Sequence, residues 1–129
     1  MSASSNKTLW LIDDDSTFRY VFRCIVESHK LVDEFLEFEN GADGYHALMN
    51  RLDPKQQPDF IMVDVSMPVL DGWGFLEKLG DFTQDQLRTK IYLISSSLVG
   101  ANQHDSKRFP LLSGFISKPI SVDKICALL

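Results

Sequence analysis

Positive charge is scarce in this sequence. Its 129 residues carry 13 Lys and Arg against 18 Asp and Glu, a formal net charge of -5 at pH 7, and the pI lies near 5.0. Binding nucleic-acid phosphates draws on dense Lys/Arg patches. None stands out, so a cation or a protein is the expected partner and direct nucleic-acid contact is not. Cysteine is equally sparse. Cys24 and Cys126 fall inside apolar helical patterns, without C-x-x-C spacing or a histidine at zinc-ligand intervals, which leaves two buried free thiols in a reducing cytosol as the expectation. No apolar run approaches membrane-spanning length, and "MSASSNK" lacks the apolar segment of a signal peptide. The sequence therefore reads as cytoplasmic, with no membrane partner. Internal repeats and low-complexity tracts are missing as well.

What remains has the balance of a globular domain: 44% hydrophobic and 24% charged residues, with a mean hydropathy of -0.08. The length suits one core rather than two. We expect a disordered tail over residues 1–6 and a single domain over 7–129.

Five short apolar runs recur: "LWLI" (9–12), "EFLEF" (34–38), "FIMV" (60–63), "IYLI" (91–94) and "GFIS" (114–117). Most are continuous rather than alternating, as in strands covered on both faces of a parallel sheet. Helical periods lie between them. Phe18, Val21, Phe22 and Ile25 mark one helix, and Tyr45, Leu48, Met49 and Leu52 a second. Phe75, Leu76 and Leu79 mark a third, opened by the "DG" at 71 and 72. The segment "GANQHDSKRF" predicts a short polar helix, and "SVDKICALL" a last one capped by Ser121. "DPKQQP" at 53–58 reads as a loop. Strand and helix alternate, which implies a doubly wound α/β sandwich with right-handed crossovers.

Ligands in such sheets sit beyond the carboxyl ends of the strands, so the residues that follow each run carry the chemistry. Asp13, Asp14 and Asp15 follow the first run, Asp64 the third, Ser95, Ser96 and Ser97 the fourth, and Lys118 with Pro119 the fifth. Carboxylates, a hydroxyl and a lysine thus converge on one sheet edge. Crowded carboxylates need a hard cation, and Mg²⁺ is commonly held by one or two of them, with waters and phosphate oxygens completing its octahedron. A metal beside Asp64 would let a dianionic phosphate donor approach an anionic nucleophile, while Lys118 and Ser95 hold the transferring oxygens. Aspartate accepts phosphoryl groups as an acyl phosphate.

Taken together, "LIDDDSTFR", "VDVSMPVLDGWGFL", "IYLISSS" and "GFISKP" resemble the receiver domain of two-component response regulators, of the stand-alone chemotaxis-regulator kind, from Lys7 to Leu129. The resemblance implies a flavodoxin-like α/β fold, a five-stranded parallel sheet in the order 2-1-3-4-5 with helices on both faces. It implies that Asp64 is the phosphoacceptor, ahead of the turn made by Met67, Pro68, Asp71 and Gly72. Asp14 and Asp64 would ligate Mg²⁺ directly, Asp13 mainly through water, and the backbone carbonyl of Ser66 would be the third protein ligand. Lys118 would pair with the phosphoryl group and precede a cis proline. Ser95 takes the place of the more common switch threonine, and Phe115 that of the switch aromatic. The implied donor is a sensor histidine kinase or phosphotransfer protein, or a small donor such as acetyl phosphate. The implied recipient of the signal is a protein.

Plainer roles compete for some of these residues. Asp15 reads as a helix-start carboxylate favoured by the helix dipole. His29, His46 and His104 share no spacing and read as surface residues, Trp10 as packing, and Trp73 as partly exposed. A rival chemistry also fits "LIDDDSTF", the haloacid-dehalogenase phosphatase motif, with Asp13 as nucleophile and Asp15 as general acid. That family needs a further acidic pair late in the chain, and only Asp123 follows Lys118. It also leaves Asp64 and "MPVLDG" unexplained. A third possibility is a degenerate receiver that serves only as a protein-binding module.

Ser66 and Ser97, two residues beyond the acceptor and the switch hydroxyl, are small and neutral, so nothing obvious orients a hydrolytic water. A moderately long-lived phosphoform is expected. Following the decay of the phosphorylated protein by intact mass checks this, and a half-life of only seconds contradicts it.

Overall fold

The continuous apolar runs form strands because a sheet covered on both faces leaves no side for polar residues. The computed structural model describes residues 7–65, 67, 69–80, 82–83, 86–96 and 109–129. The expected tail at 1–6 and nearly all of the polar helix expected within 100–109 lie outside these residues. Strands β1 (Thr8–Ile12), β2 (Glu34–Phe38), β3 (Phe60–Asp64), β4 (Lys90–Ser95) and β5 (Leu112–Ser117) make one sheet in the order β2-β1-β3-β4-β5. Every adjacent pair is parallel. Among the described residues four α-helices supply crossovers or close the chain: α1 (Ser16–Ser28), α2 (Gly41–Met49), α3 (Gly72–Lys78) and α4 (Val122–Leu128).

Each helix starts where the sequence supplies a cap. Asp15, Asn40, Asp71 and Ser121 each accept a hydrogen bond from an N–H of the first turn, which contributes on the order of 1 kcal/mol apiece. The "DPKQQP" loop holds one 3-10 turn, Pro54–Gln56.

The sheet divides the core in two. On one face Trp10, Ile12, Ile61, Val63 and Leu93 pack with Leu48, Phe75 and Leu76 of α2 and α3. On the other, Leu9, Leu11, Met62 and Ile116 pack with Phe22 and Val26 of α1 and Ile125 of α4. Trp10 is fully buried, its ring 5.1 Å from that of Phe38, in the packing role expected of it.

Three expectations about burial are corrected. Both cysteines are exposed. Cys24 stands two residues from each of the buried Phe22 and Val26, and two steps of about 100° carry a side chain to the far side of a helix. Cys126 is one step of about 100° from its buried neighbour Ile125, enough to turn it out of the narrow inward face of α4. Val21 is 49% exposed, because the inward stripe of α1 runs through Phe18, Phe22, Ile25 and Val26. Leu52 is 51% exposed, since α2 ends at Met49 with Asn50 as its C-cap.

Val69, in the loop between β3 and α3, has φ 73° and is 82% exposed. A β-branched residue in the left-handed region is strained by about 1–2 kcal/mol, whereas Asn tolerates it. Val69→Asn is expected to stabilise the protein by roughly 1 kcal/mol, read from the midpoint of urea unfolding. A lower midpoint would show that the valine side chain contributes more than its backbone costs.

Candidate functional site

Chain direction alone brings the chemistry together. All five strands run parallel, so the residues at their carboxyl ends share one edge. Asp13 directly follows β1, Asp64 ends β3, Ser95 ends β4 and Lys118 directly follows β5. The strand order reverses between β1 and β3, and a switch point of this kind opens a crevice.

The Lys118 ammonium stands between two carboxylates, 2.9 Å from Asp13 Oδ2 and 3.3 Å from Asp64 Oδ2. Its Nζ also lies 4.3 Å from the centre of the Phe18 ring, a cation–π contact that holds it against α1. The Lys118 N–H donates to the Ser95 carbonyl at 2.8 Å, which ties the end of β5 to that of β4. The Lys118–Pro119 peptide is cis, as the sequence motif implies.

Asp13 is fully buried and held at every polar atom. Its N–H donates to the Phe38 carbonyl at 3.0 Å. Its Oδ1 accepts from the Asp15 N–H at 2.9 Å, its carbonyl accepts from Arg19 Nη1 at 2.6 Å, and its Oδ2 faces Lys118. Burial holds the Asp13 carboxyl above the ordinary carboxylate range. The charge of Asp64 pushes the same way, against the opposing pull of Lys118 and the Asp15 amide. Burial also works against the charge on Lys118, but Asp13 and Asp64 outweigh it and hold the ammonium above the ordinary lysine value.

Asp14 is exposed at the rim. Asp15 is spent on the helix cap, accepting from the N–H groups of Thr17 and Phe18, as its plainer role predicts. Close packing places Asp64. A Cβ on Gly72 would come within 2.6 Å of the Asp64 carbonyl oxygen, so glycine there lets α3 start directly against the end of β3. Phe115, on β5, is half-buried, with its ring 5.9 Å from that of Trp73. His29 and His46 are exposed. Ser66, Ser97 and His104 lie outside the described residues.

Two residues here escaped the sequence reading, Phe18 beneath Lys118 and Arg19 against Asp13. Phe18 falls in the hydrophobic stripe of its helix, and nothing in the spacing of "LIDDDSTFR" sets Arg19 apart.

Asp13, Asp14 and Asp64 each offer a carboxylate oxygen within 4.8 Å of the others. These are hard donors, and the single Lys118 ammonium offsets only part of their charge. Such a set suits Mg²⁺ rather than a soft metal.

A family model described as the response regulator receiver domain matches residues 9–129. Among curated proteins, the chain is 32% identical over 111 residues to a protein-glutamate methylesterase/protein-glutamine glutaminase of Escherichia coli K12, covering 84% of this chain and 29% of that one. It is also 32% identical over 71 residues to the DNA-binding transcriptional regulator NtrC of Escherichia coli K12, covering 55% of this chain and 14% of that protein. The chain thus spans under a third of either relative. In fold it is similar to a two-component response regulator from Cytophaga hutchinsonii, with a TM-score of 0.83 at 22% identity over 96% of this chain and 94% of the other.

The raised carboxyl of Asp13 sets a pH dependence. It binds its proton more tightly folded than unfolded, so its ionisation lowers stability as pH rises from 3.8 through the raised folded value. Lys118 acts at the other end: its contribution is complete below 10.5 and is lost as pH rises through its raised folded value. With EDTA present, Asp13→Asn is expected to be more stable than wild type at neutral pH, with the difference shrinking in acid. Urea midpoints across that range check this, and a difference independent of pH contradicts it.

Proposed function

The chain belongs to the response regulator receiver domain family, and on that premise we propose that Asp64 accepts a phosphoryl group from a histidine kinase or phosphotransfer protein, with Mg²⁺ as cofactor. The observation that carries this is the Lys118 ammonium lying between Asp13 and Asp64 at the carboxyl edge of the sheet. It is a fixed cation beside the one acid that both ends a buried strand and adjoins the crevice.

In the proposed reaction an Asp64 carboxylate oxygen attacks the phosphorus of a phosphohistidine. The P–N bond breaks, its electron pair returns to the imidazole, and an acyl phosphate remains on Asp64. Asp13, Asp14, Asp64 and the Ser66 carbonyl would hold Mg²⁺, which when bound supplies positive charge for the phosphoryl oxygens. Lys118 exchanges its contact with Asp64 for one with a phosphoryl oxygen, and the Phe18 ring keeps the ammonium from swinging into solvent. Ser95, buried at the end of β4, donates its hydroxyl to another of those oxygens.

The switch follows from these moves. As Ser95 shifts toward the phosphoryl group, Phe115 turns inward against Trp73, and a protein partner reads the altered surface. The phosphoryl group shifts this equilibrium only by its unequal interaction with the two states. We place residues 7–129 in one receiver unit working in the cytoplasm, a signalling phosphoacceptor that promotes only its own phosphorylation and dephosphorylation.

A phosphatase with Asp13 as nucleophile fits the geometry poorly. Asp13 is fully buried, with one oxygen on the Asp15 N–H and the other on Lys118. Asp15, its would-be general acid, is a helix cap. A module that only binds protein would have no need of a lysine held between two carboxylates.

Incubation with acetyl phosphate and Mg²⁺ is expected to add one phosphoryl group, mapped to Asp64 by peptide mass, and lost with EDTA or in Asp64→Asn. An adduct on Asp13 with continuous phosphate release would favour the phosphatase. No adduct from acetyl phosphate or from a phosphorylated donor protein would favour the binding module.

A further inference from the structure

Arg19 is charged, yet its side chain is only 13% exposed. Its Nη1 donates to the Asp13 carbonyl at 2.6 Å, and its Nε donates to Glu37 Oε1, on the edge strand β2, at 3.3 Å. The other oxygen of Glu37 accepts from Arg23 at 2.6 Å. Glu37 therefore anchors Arg19 from behind, while Arg19 reaches the β1–α1 turn. A planar guanidinium can make both bonds at once in a fixed geometry, which an ammonium cannot.

The target of that bond matters. The Asp13 carbonyl belongs to the peptide that joins Asp13 to Asp14, so holding it fixes the plane from which the Asp14 backbone departs. The next peptide, between Asp14 and Asp15, is held by the Asp15 N–H on Asp13 Oδ1. Asp14 is thus clamped through the backbone on both sides. Among the described residues no hydrogen bond or ion pair holds its exposed carboxylate, which nonetheless lies within 4.8 Å of the Asp13 and Asp64 oxygens. Its aim depends on the two peptides.

We propose that Arg19, anchored by Glu37, is a positioning residue that aims Asp14 into the cation site by holding the Asp13–Asp14 peptide. The cation site itself rests on the function proposed above. Arg19 touches neither the phosphoryl group nor the metal in this role.

Charge and position predict opposite signs, which makes the inference testable. Arg19→Gln removes a positive charge from the turn that carries Asp13 and Asp14, and by Coulomb attraction alone Mg²⁺ should then bind more tightly. If Arg19 aims Asp14, binding weakens instead, by about tenfold, as is typical when a residue that orients a metal ligand is lost. The probe is Mg²⁺ itself, followed by calorimetry and by Trp fluorescence on the full chain. Arg23→Gln is the control, since Arg23 shares Glu37 but does not touch Asp13, and it should leave the affinity within about twofold, far short of the orienting effect. Arg19→Lys should fall between wild type and Arg19→Gln.

A second measurement needs no metal. In EDTA the Asp15 amide, which donates to Asp13 Oδ1, should exchange hydrogen faster in Arg19→Gln than in wild type or Arg23→Gln, while the amides of β3 keep their protection. Unchanged or tighter Mg²⁺ binding in Arg19→Gln overturns the proposal, as does unchanged exchange at the Asp15 amide. A wild-type protein that binds no Mg²⁺ overturns the cation site instead, and the exchange measurement still decides whether Arg19 holds the turn.

Discussion

Asp13, Asp14 and Asp64 bring their carboxylates within 4.8 Å of one another, and the carboxyl edge of the molecule is organised to withstand their repulsion. Lys118 offsets part of it, at 2.9 Å from Asp13 and 3.3 Å from Asp64. The remainder is met by covalent and hydrogen-bond constraint. Asp64 is fixed at the end of a strand buried throughout, Asp13 is hydrogen-bonded through its N–H, its carbonyl and Oδ1, and Asp15 is drawn off to cap α1. Like charges this close separate unless the backbone denies them room. The two-sided parallel sheet denies it, since β1 and β3 pair with each other and each has a further neighbour on its outer side. Rigidity here is what allows an electrostatically unfavourable cluster to persist.

The fold was legible because burial on both sheet faces writes itself into sequence as continuous apolar runs. The acidic convergence followed from it, since in a parallel sheet the residue after each run must lie on the same edge. Less legible were features that depend on angle within a helix or on contacts distant in sequence. Val21 matched a helical period and still faces outward, because one step from Phe22 leaves the narrow stripe of α1. Cys24 and Cys126 lie inside apolar helical patterns that suggest burial, whereas the geometry of α1 and α4 turns both out. The hold of Arg19 on Asp13 and its anchor on Glu37 join β2 to the β1–α1 turn, and nothing in the spacing of these residues announces the contact.

The helices flanking the site divide its labour. Helix α1 faces it with Phe18 under the ammonium and Arg19 on the acidic turn, both within one turn of the Asp15 cap. Helix α3 begins against the Asp64 carbonyl, through a glycine that leaves no room for a side chain, and presents Trp73 to Phe115. One helix therefore fixes the charged groups, while the other touches both the end of β3 and the aromatic ring of β5. The two lie on opposite faces of the sheet.

Interior and edge strands differ in how they are held. β3, which ends in Asp64, has a ladder on each side and every residue buried, whereas β5, which carries Phe115, pairs only with β4 across an irregular register. Displacing β5 therefore breaks one row of hydrogen bonds, and displacing β3 breaks two. The acid sits on the stiffest member of the sheet and the aromatic ring on one of its most yielding. A disturbance at the first is spent least where it begins and most where it can be felt from outside, as in a lever with a fixed fulcrum and a free end.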